Sequence, residues 1–280
     1  MMDHIAICLG QEVSQSKRGW GKGTLSAGER LQNGVHWSKS GEADRAGNGP
    51  MPGVAPLGLW ASIVSQHPKD FTEKCVAYAK MTHLATPAIV APAVHGFAVA
   101  SLAGRLDNKI EVFTFLHSLY ALAMELEEEL ERHLSPEKRW KKEDQISKQI
   151  KTIFRYLELG ESGQLLEERG LAPHEPEYIA NLFFGGTSYA PCSFGLSYAI
   201  FLRSCLDPRH TNPFQAVFDA VNAGGDTDSN ASIVGSLVGA LHGFKKAIPL
   251  DLAEGVEMSD EIRKLTTQFY YTCESLKRRP

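Results

Sequence analysis

The chain has 280 residues, 43% of them hydrophobic and 22% charged, which is enough to bury a sizeable core in one large domain or two small ones. Its net charge of −4 and pI near 6.2 provide no basic field, so a nucleic-acid partner is not expected. The opening MMDHIAICLG lacks a basic, apolar leader pattern and no run reaches about 18 uncharged apolar residues, so neither secretion nor membrane insertion is expected. The five cysteines, Cys8, Cys75, Cys192, Cys205 and Cys273, are odd in number and lack CxxC spacing, and they read as reduced thiols of a cytoplasmic protein.

In chain order, residues 14 to 58 are rich in Gly, Ser and Lys and read as the least regular part, a long loop of the functional or mobile kind. Residues 71 to 81 place Phe71, Cys75, Tyr78 and Ala79 at helical spacing, and residues 88 to 103, rich in Ala and Val, read as a core helix. From Glu111 to Leu134 an apolar beginning gives way to ELEEELE, which predicts a helix leaving the core with a solvated acidic face. Between residues 136 and 166, Ile146, Ile150, Ile153, Phe154 and Leu157 form one apolar side of a peripheral amphipathic helix. Strand-period alternation and strand–helix repeats are scarce, so residues 1 to 280 are expected to form one all-α domain.

Two segments carry chemistry. In NAGGDTDSN, Gly224 and Gly225 permit a sharp turn, after which Asp226, Thr227, Asp228 and Ser229 crowd two carboxylates and two hydroxyls into one turn at the start of a helix. Hard oxygen donors without thiolate or imidazole suit Mg²⁺, Mn²⁺ or Ca²⁺; the competing reading is that Asp226 or Asp228 is a helix N-cap. Gly235, Gly239 and Gly243 then recur every four residues, which predicts a buried helix whose backbone is pressed against a neighbour. The second segment, AGNGPMPGVAPLGL, carries Gly47, Asn48, Gly49 and Gly53, whose backbone N–H groups could approach a ligand closely, in a loop stiffened by Pro50, Pro52 and Pro56.

Together these segments resemble the ADP-ribosylglycohydrolase family. GGDTDS with its GALHG continuation is similar to the family's GGDTDT signature, AGNGPMPGVAPLG to its GNG loop, and MTH at residues 81 to 83 to its Thr-His pair ahead of an Ala-rich helix. YAPCSFGLSYAIFLRS at residues 189 to 204 is similar to the helix that precedes the signature.

The resemblance implies an all-α fold, two Mg²⁺ ions (Mn²⁺ as an alternative), and cleavage of a glycosidic bond in ADP-ribosylated protein or a related conjugate. Paired cations roughly 3.5 to 4 Å apart can acidify a bound water and clamp the sugar. Carried over, Asp226, Asp228 and Ser229 are expected to bind metal, with Asp226 and Asp228 catalytic. Gly47, Asn48 and Gly49 are expected to line the ADP-ribose site, and His83 either joins them or is a core histidine. The family's remaining ligands come from a TDDT-like motif, and this chain has no adjacent Asp-Asp pair. Met1 is therefore expected to fall just after that motif, in a shortened form or a natural variant, with Asp3 the nearest carboxylate that could approach the site. Pro52 and Gly53 also stand where the family commonly has Met and Arg. Two functions follow: a Mg²⁺-dependent hydrolase, or a catalytically silent ADP-ribose-binding or structural protein that keeps the fold.

Overall fold

The structure is a computed structural model that describes residues 1–16, 19–64, 68–105, 107–132, 134–135, 139–162, 175–207 and 210–277. The helices are α1 (Met2–Gln15), α2 (Lys22–Gln32), α3 (Pro50–Val64), α4 (Pro68–Lys80), α5 (Thr86–Leu102), α6 (Val112–Glu131) and α7 (Ile146–Ser162). They continue as α8 (Pro176–Leu182), α9 (Ala190–Leu206), α10 (Gln215–Asn222), α11 (Thr227–His242), α12 (Phe244–Ala247), α13 (Leu250–Glu254) and α14 (Ser259–Lys277). Among the described residues extended pairing is confined to two isolated bridges, Glu42 with His83 and Gly47 with Tyr189. The expected all-α class is what forms. None of the described helices is long and apolar enough to cross a membrane.

At the centre lies α5, TPAIVAPAVHGFAVASL, which is apolar on nearly every face and therefore has no side fit for water. It packs between α3, α4, α6, α9 and α11. The approach to α3 is close because Gly58 lacks a side chain: a Cβ there would lie 2.7 Å from the Gly96 carbonyl and 2.8 Å from Val99 Cβ. Buried in this core, His95 bonds the Tyr198 hydroxyl at 3.0 Å and Ser236 Oγ at 2.9 Å, so both ring nitrogens are satisfied without charge. Beyond that layer, α7 turns Ile146, Ile150, Ile153 and Leu157 inward as its periodicity predicts, while Phe154 stays partly exposed and stacks on Phe113.

Three expectations are corrected. Residues 14 to 58 are not one irregular loop, since α2 and the start of α3 fall within them. The glycines that suggested a loop are packing glycines: Gly28 sits where a Cβ would lie 2.6 Å from Val13 of α1, and Gly53 lies against the Tyr78 hydroxyl. Pro50 and Pro52 occupy the first turn of α3, where a missing N–H costs nothing. The acidic run of α6 is only partly a solvated face. Glu127 is buried and accepts Ser147 N at 3.1 Å and Ser147 Oγ at 2.6 Å, which caps the start of α7, while Glu131 accepts Trp140 N at 3.2 Å. Burial holds the Glu127 carboxyl above its ordinary range against these bonds.

The glycine stripe of α11 is likewise not a close helix contact. A Cβ at Gly235 would meet only Val217 at 3.9 Å and one at Gly239 would meet nothing within 4 Å, while Gly243 ends the helix at φ 73°. The face of α11 that packs inward is instead Asn230, Ile233, Val234, Leu237, Val238 and Leu241, so the helix is buried on one side. Of the expected helix at 136 to 166, residues 136–138 and 163–166 lie outside the described residues.

Burial lowers the pKa of His95 to about 3 and that of His83 to about 4, so both are neutral in the folded chain but protonate below about 6.5 when it unfolds. The unfolded chain then binds more protons, and stability falls as pH drops below 6.5 towards the folded values. Each histidine is expected to cost about 2 kcal/mol by pH 5. Denaturant titrations of wild type and His95→Gln at pH 7 and pH 5 check this, with roughly half of the acid loss disappearing in the variant.

Candidate functional site

The loop from Gly41 to Gly49 is held in place by backbone pairing on two sides. Glu42 N donates to Thr82 O at 3.2 Å and Leu84 N to Glu42 O at 2.8 Å, while Asn48 N donates to Ser188 O at 2.8 Å and Ala190 N to Ala46 O at 2.8 Å. These pairings bring together the segments that lead into α3, α5 and α9, and Asp226 at the N-cap of α11 joins them through Asp226 N to Gly186 O at 3.0 Å. Such a turn needs Gly224 and Gly225 at φ 77° and 71°, and a Cβ on Gly225 would run into the Gly185 carbonyl.

Side chains then lock the junction. Asn48 Nδ2 donates to Asp226 Oδ2 at 2.8 Å and to Ser193 Oγ at 3.0 Å; Ser193 Oγ donates to Asn230 Oδ1 at 2.5 Å; Asn230 Nδ2 donates to Gly186 O at 2.7 Å. Asn48, Ser193 and Asn230 are buried, and in this chain of bonds each satisfies the next. Asp226 therefore does not cap α11 with its side chain, which is turned towards Asn48. Asp228 Oδ1 accepts Ser229 N at 2.8 Å, a local bond within the first turn.

Asp226 and Asp228 are themselves in hydrogen-bond contact. Burial raises the Asp226 carboxyl above its ordinary range and Asp228 pushes it the same way, against the bond from Asn48. The more exposed Asp228 is held below the usual range by its bonds to Asp226 and to the Ser229 N–H. Two carboxylates held this close are an arrangement that a small divalent cation can stabilise.

This turn opens on a cleft of about 820 Å³. Gly47, Asn48, Gly49, His83, Asp226, Asp228 and Ser229 all line it, whereas Gly53, in α3 against Tyr78, does not. His83 is buried, with Nδ1 bonded to Thr82 Oγ1 at 2.8 Å. Its Nε2 lies 3.1 Å from where a Cβ on Gly47 would be, so a side chain at residue 47 would crowd it, while a Cβ on Gly23 would be in ordinary contact at 3.4 Å. Asp3 is not at the cleft: its carboxylate accepts Trp37 Nε1 at 2.8 Å. The direction of α1 sets it apart, because the C-terminal half of that helix, at Val13, packs on α2.

Other cleft residues escaped the sequence reading. Trp20 leads into α2, Lys22 and Thr24 lie in its first turn, Arg45 precedes the GNG loop, Tyr189 pairs with Gly47 ahead of α9, and Trp140 comes from the segment between α6 and α7. Arg45 is aimed by Glu42, which accepts its Nε at 2.8 Å and also pairs with Arg30 Nη1 at 3.4 Å. The GKGT of residues 21 to 24, so near a tryptophan, was a signal within the sequence; Trp140 had none, since it comes from a charged segment far along the chain.

The ADP-ribosylglycohydrolase family model matches residues 3–278. The chain belongs to the ADP-ribosylglycohydrolase family. Among solved structures it is similar to an "ADP-ribosylglycohydrolase-related protein complex", at 22% identity and a TM-score of 0.54, covering 97% of this chain and 79% of that one. At that identity the likeness is one of fold. No curated protein matches the chain. For this family member the donor chemistry at Asp226, Asp228 and Ser229 could hold one Mg²⁺-like ion, with its other positions left to water and ligand oxygens. Among the described residues no cluster of three or more His, Cys, Asp or Glu forms, this turn included.

Three substitutions test the construction of the site. Asn48→Ala leaves Asp226 and Ser193 without their donor and is expected to cost about 1–3 kcal/mol. Gly225→Ala, at positive φ and against a carbonyl, is expected to lower the melting temperature further than Gly239→Ala, which has open space and can gain helix propensity. Thermal unfolding of the three variants checks the order.

Proposed function

We propose that this chain is a hydrolase of the glycosidic bond in ADP-ribose conjugates, with the conjugate's ADP-ribose in the 820 Å³ cleft and one Mg²⁺ held by Asp226, Asp228 and Ser229. The reading is carried by the contact of Asp226 with Asp228 at the cleft, with Asn48 bonded to Asp226 from behind. When bound, the cation supplies Lewis-acid activation of water and orientation of ribose hydroxyls. In the overall reaction, water oxygen bonds to the anomeric carbon as the bond to the acceptor breaks, and a water proton ends on the leaving group.

The chain's own residues do the positioning. Asn48 fixes the Asp226 carboxylate, so its donor oxygens do not have to be ordered at each turnover. The backbone at Gly47 and Gly49 can approach a diphosphate closely, and the N-termini of α2 and α11 at the cleft favour anionic groups. Arg45 and Lys22 add cationic charge on the same wall. His83, kept neutral by burial, offers Nε2 as a hydrogen-bonding group rather than a charge.

A second reading, ADP-ribose binding without turnover, is favoured by one observation: beside Asp226 and Asp228 the described lining of the cleft holds one further carboxylate, Asp44, where the family resemblance implies ligands for two ions. Calorimetry with ADP-ribose and Mg²⁺, together with release assays on arginine-linked, serine-linked and small-molecule conjugates, separates the two. Hydrolysis is expected, with Asp228→Asn lowering it at least 100-fold while the fold is retained. Binding with no release from any conjugate supports the second reading, and absence of both removes the two together.

A further inference from the structure

The cleft has a second polar corner, remote in sequence from the acidic turn, at the start of α2. Gly21 caps this 11-residue helix without a side-chain bond, and the first bond inside it runs from Leu25 N to Gly21 O at 3.0 Å. The N–H groups of Lys22, Gly23 and Thr24 therefore have no partner among the described residues, and all three residues line the cleft.

Two buried side chains face the same corner. Thr24 is 8% exposed and His83 is 5% exposed, but neither Thr24 Oγ1 nor His83 Nε2 has a hydrogen-bond partner among the described residues. A Cβ on Gly49 would touch both side chains, at 3.5 Å from Thr24 Oγ1 and 3.6 Å from His83 Cε1, so they border one space. Thr82 Oγ1 is nearer to His83 Nδ1, at 2.8 Å, than to Ala79 O, at 3.5 Å, so its hydrogen goes to Nδ1 and the ring carries its own on Nε2. Buried donors without acceptors are costly, and a ligand rich in acceptor oxygens removes that cost.

Charge comes from the loop beside them. The stem of Arg45 passes Gly23, where a Cβ would lie 3.4 Å from Arg45 Cγ. Arg45 Nε donates to Glu42 Oε2 at 2.8 Å, while Nη1 and Nη2 have no partner among the described residues. Glu42 does not cancel this charge, because its carboxylate is shared with Arg30 Nη1 at 3.4 Å and so serves two guanidiniums. Asp44, exposed next to Arg45, is the one carboxylate of the cleft lining outside the acidic turn, and Lys22 offsets it.

We propose that this corner makes the cleft select a diphosphate: Arg45 grips it with the Nη1 and Nη2 fork, Thr24, His83 and the first N–H groups of α2 fill its remaining acceptors, and Glu42 is a positioning residue that aims the fork. The inference rests on the cleft being the ADP-ribose site, but it needs neither the cation nor turnover.

Calorimetry in EDTA, with ADP and adenosine as probes, tests it without the cation. Wild type is expected to bind ADP at least about 10-fold more tightly than adenosine, with the difference shrinking as salt is raised. Arg45→Ala, at a side chain 51% exposed, is expected to lower ADP affinity about 10-fold while adenosine binding and Tm stay unchanged. Thr24→Val is expected to act in the same direction, and Arg45→Lys is not expected to restore affinity, since an ammonium lacks the fork. Glu42→Ala is expected to weaken ADP alone, and Glu42→Gln, which still accepts from Arg45 Nε, to recover part of the loss; a merely structural role would weaken adenosine as well. Asp228→Asn is expected to stop hydrolysis without lowering ADP affinity. Selection of ADP that is lost in Arg45→Ala, in a chain that hydrolyses no conjugate, supports the corner and overturns only the hydrolase reading. Equal affinity for ADP and adenosine, binding of neither, or an ADP affinity that Arg45→Ala leaves intact overturns the proposal.

Discussion

The junction of this protein rests on one asparagine amide. Asn48 donates one hydrogen to Asp226 and one to Ser193, and through Ser193 and Asn230 the bonding ends at the Gly186 carbonyl. Three stretches far apart in sequence meet in those bonds: the GNG loop, α9 with the turn just before it, and the acidic turn and first residues of α11. A buried polar network of this kind is worth having only if it is complete, since each unmatched group costs about as much as a good bond supplies. Here it is complete, and the result is a carboxylate held at the cleft at a fixed angle.

That arrangement explains why the cleft forms where it does. The segments leading into α3, α5 and α9 are zipped by short backbone pairings, and α11 is added by its turn, so the starts of several helices face one space. Partial positive charge at helix starts and the carboxylates of the acidic turn are then neighbours. A ligand with anionic groups at one end and oxygen donors for a cation at the other matches this polarity.

Much of this could be read from the residues, and the failures have physical causes. The acidic turn, the GNG loop and His83 were legible because Gly, Asp and Asn at those spacings have few cheap explanations. Glycine spacing misled twice. In α11 the interval of four fits a close helix contact, but no element lies over Gly239, while Gly28 and Gly53, which looked like loop residues, are the ones that admit neighbouring side chains. Sequence alone cannot tell an absent side chain that makes room from one that merely leaves a gap. The ELEEELE run misled because charge predicts solvent exposure only until a helix start needs an acceptor, as α7 needs Glu127. Ser193 and Asn230 were invisible for a simpler reason: a small polar residue on an apolar helix announces nothing until its partner is in place.

The close contact of α3 with α5 at Gly58 bears on how the cleft can change shape. A side chain at residue 58 would meet the Gly96 carbonyl and Val99, so the close seating of α3 on α5 depends on glycine there. Both helices are entered from the cleft, one through the GNG loop and the other through His83. The cleft residues that lie outside this helix pair and its entries, Trp20 and Trp140 among them, are the ones this constraint leaves free to adjust.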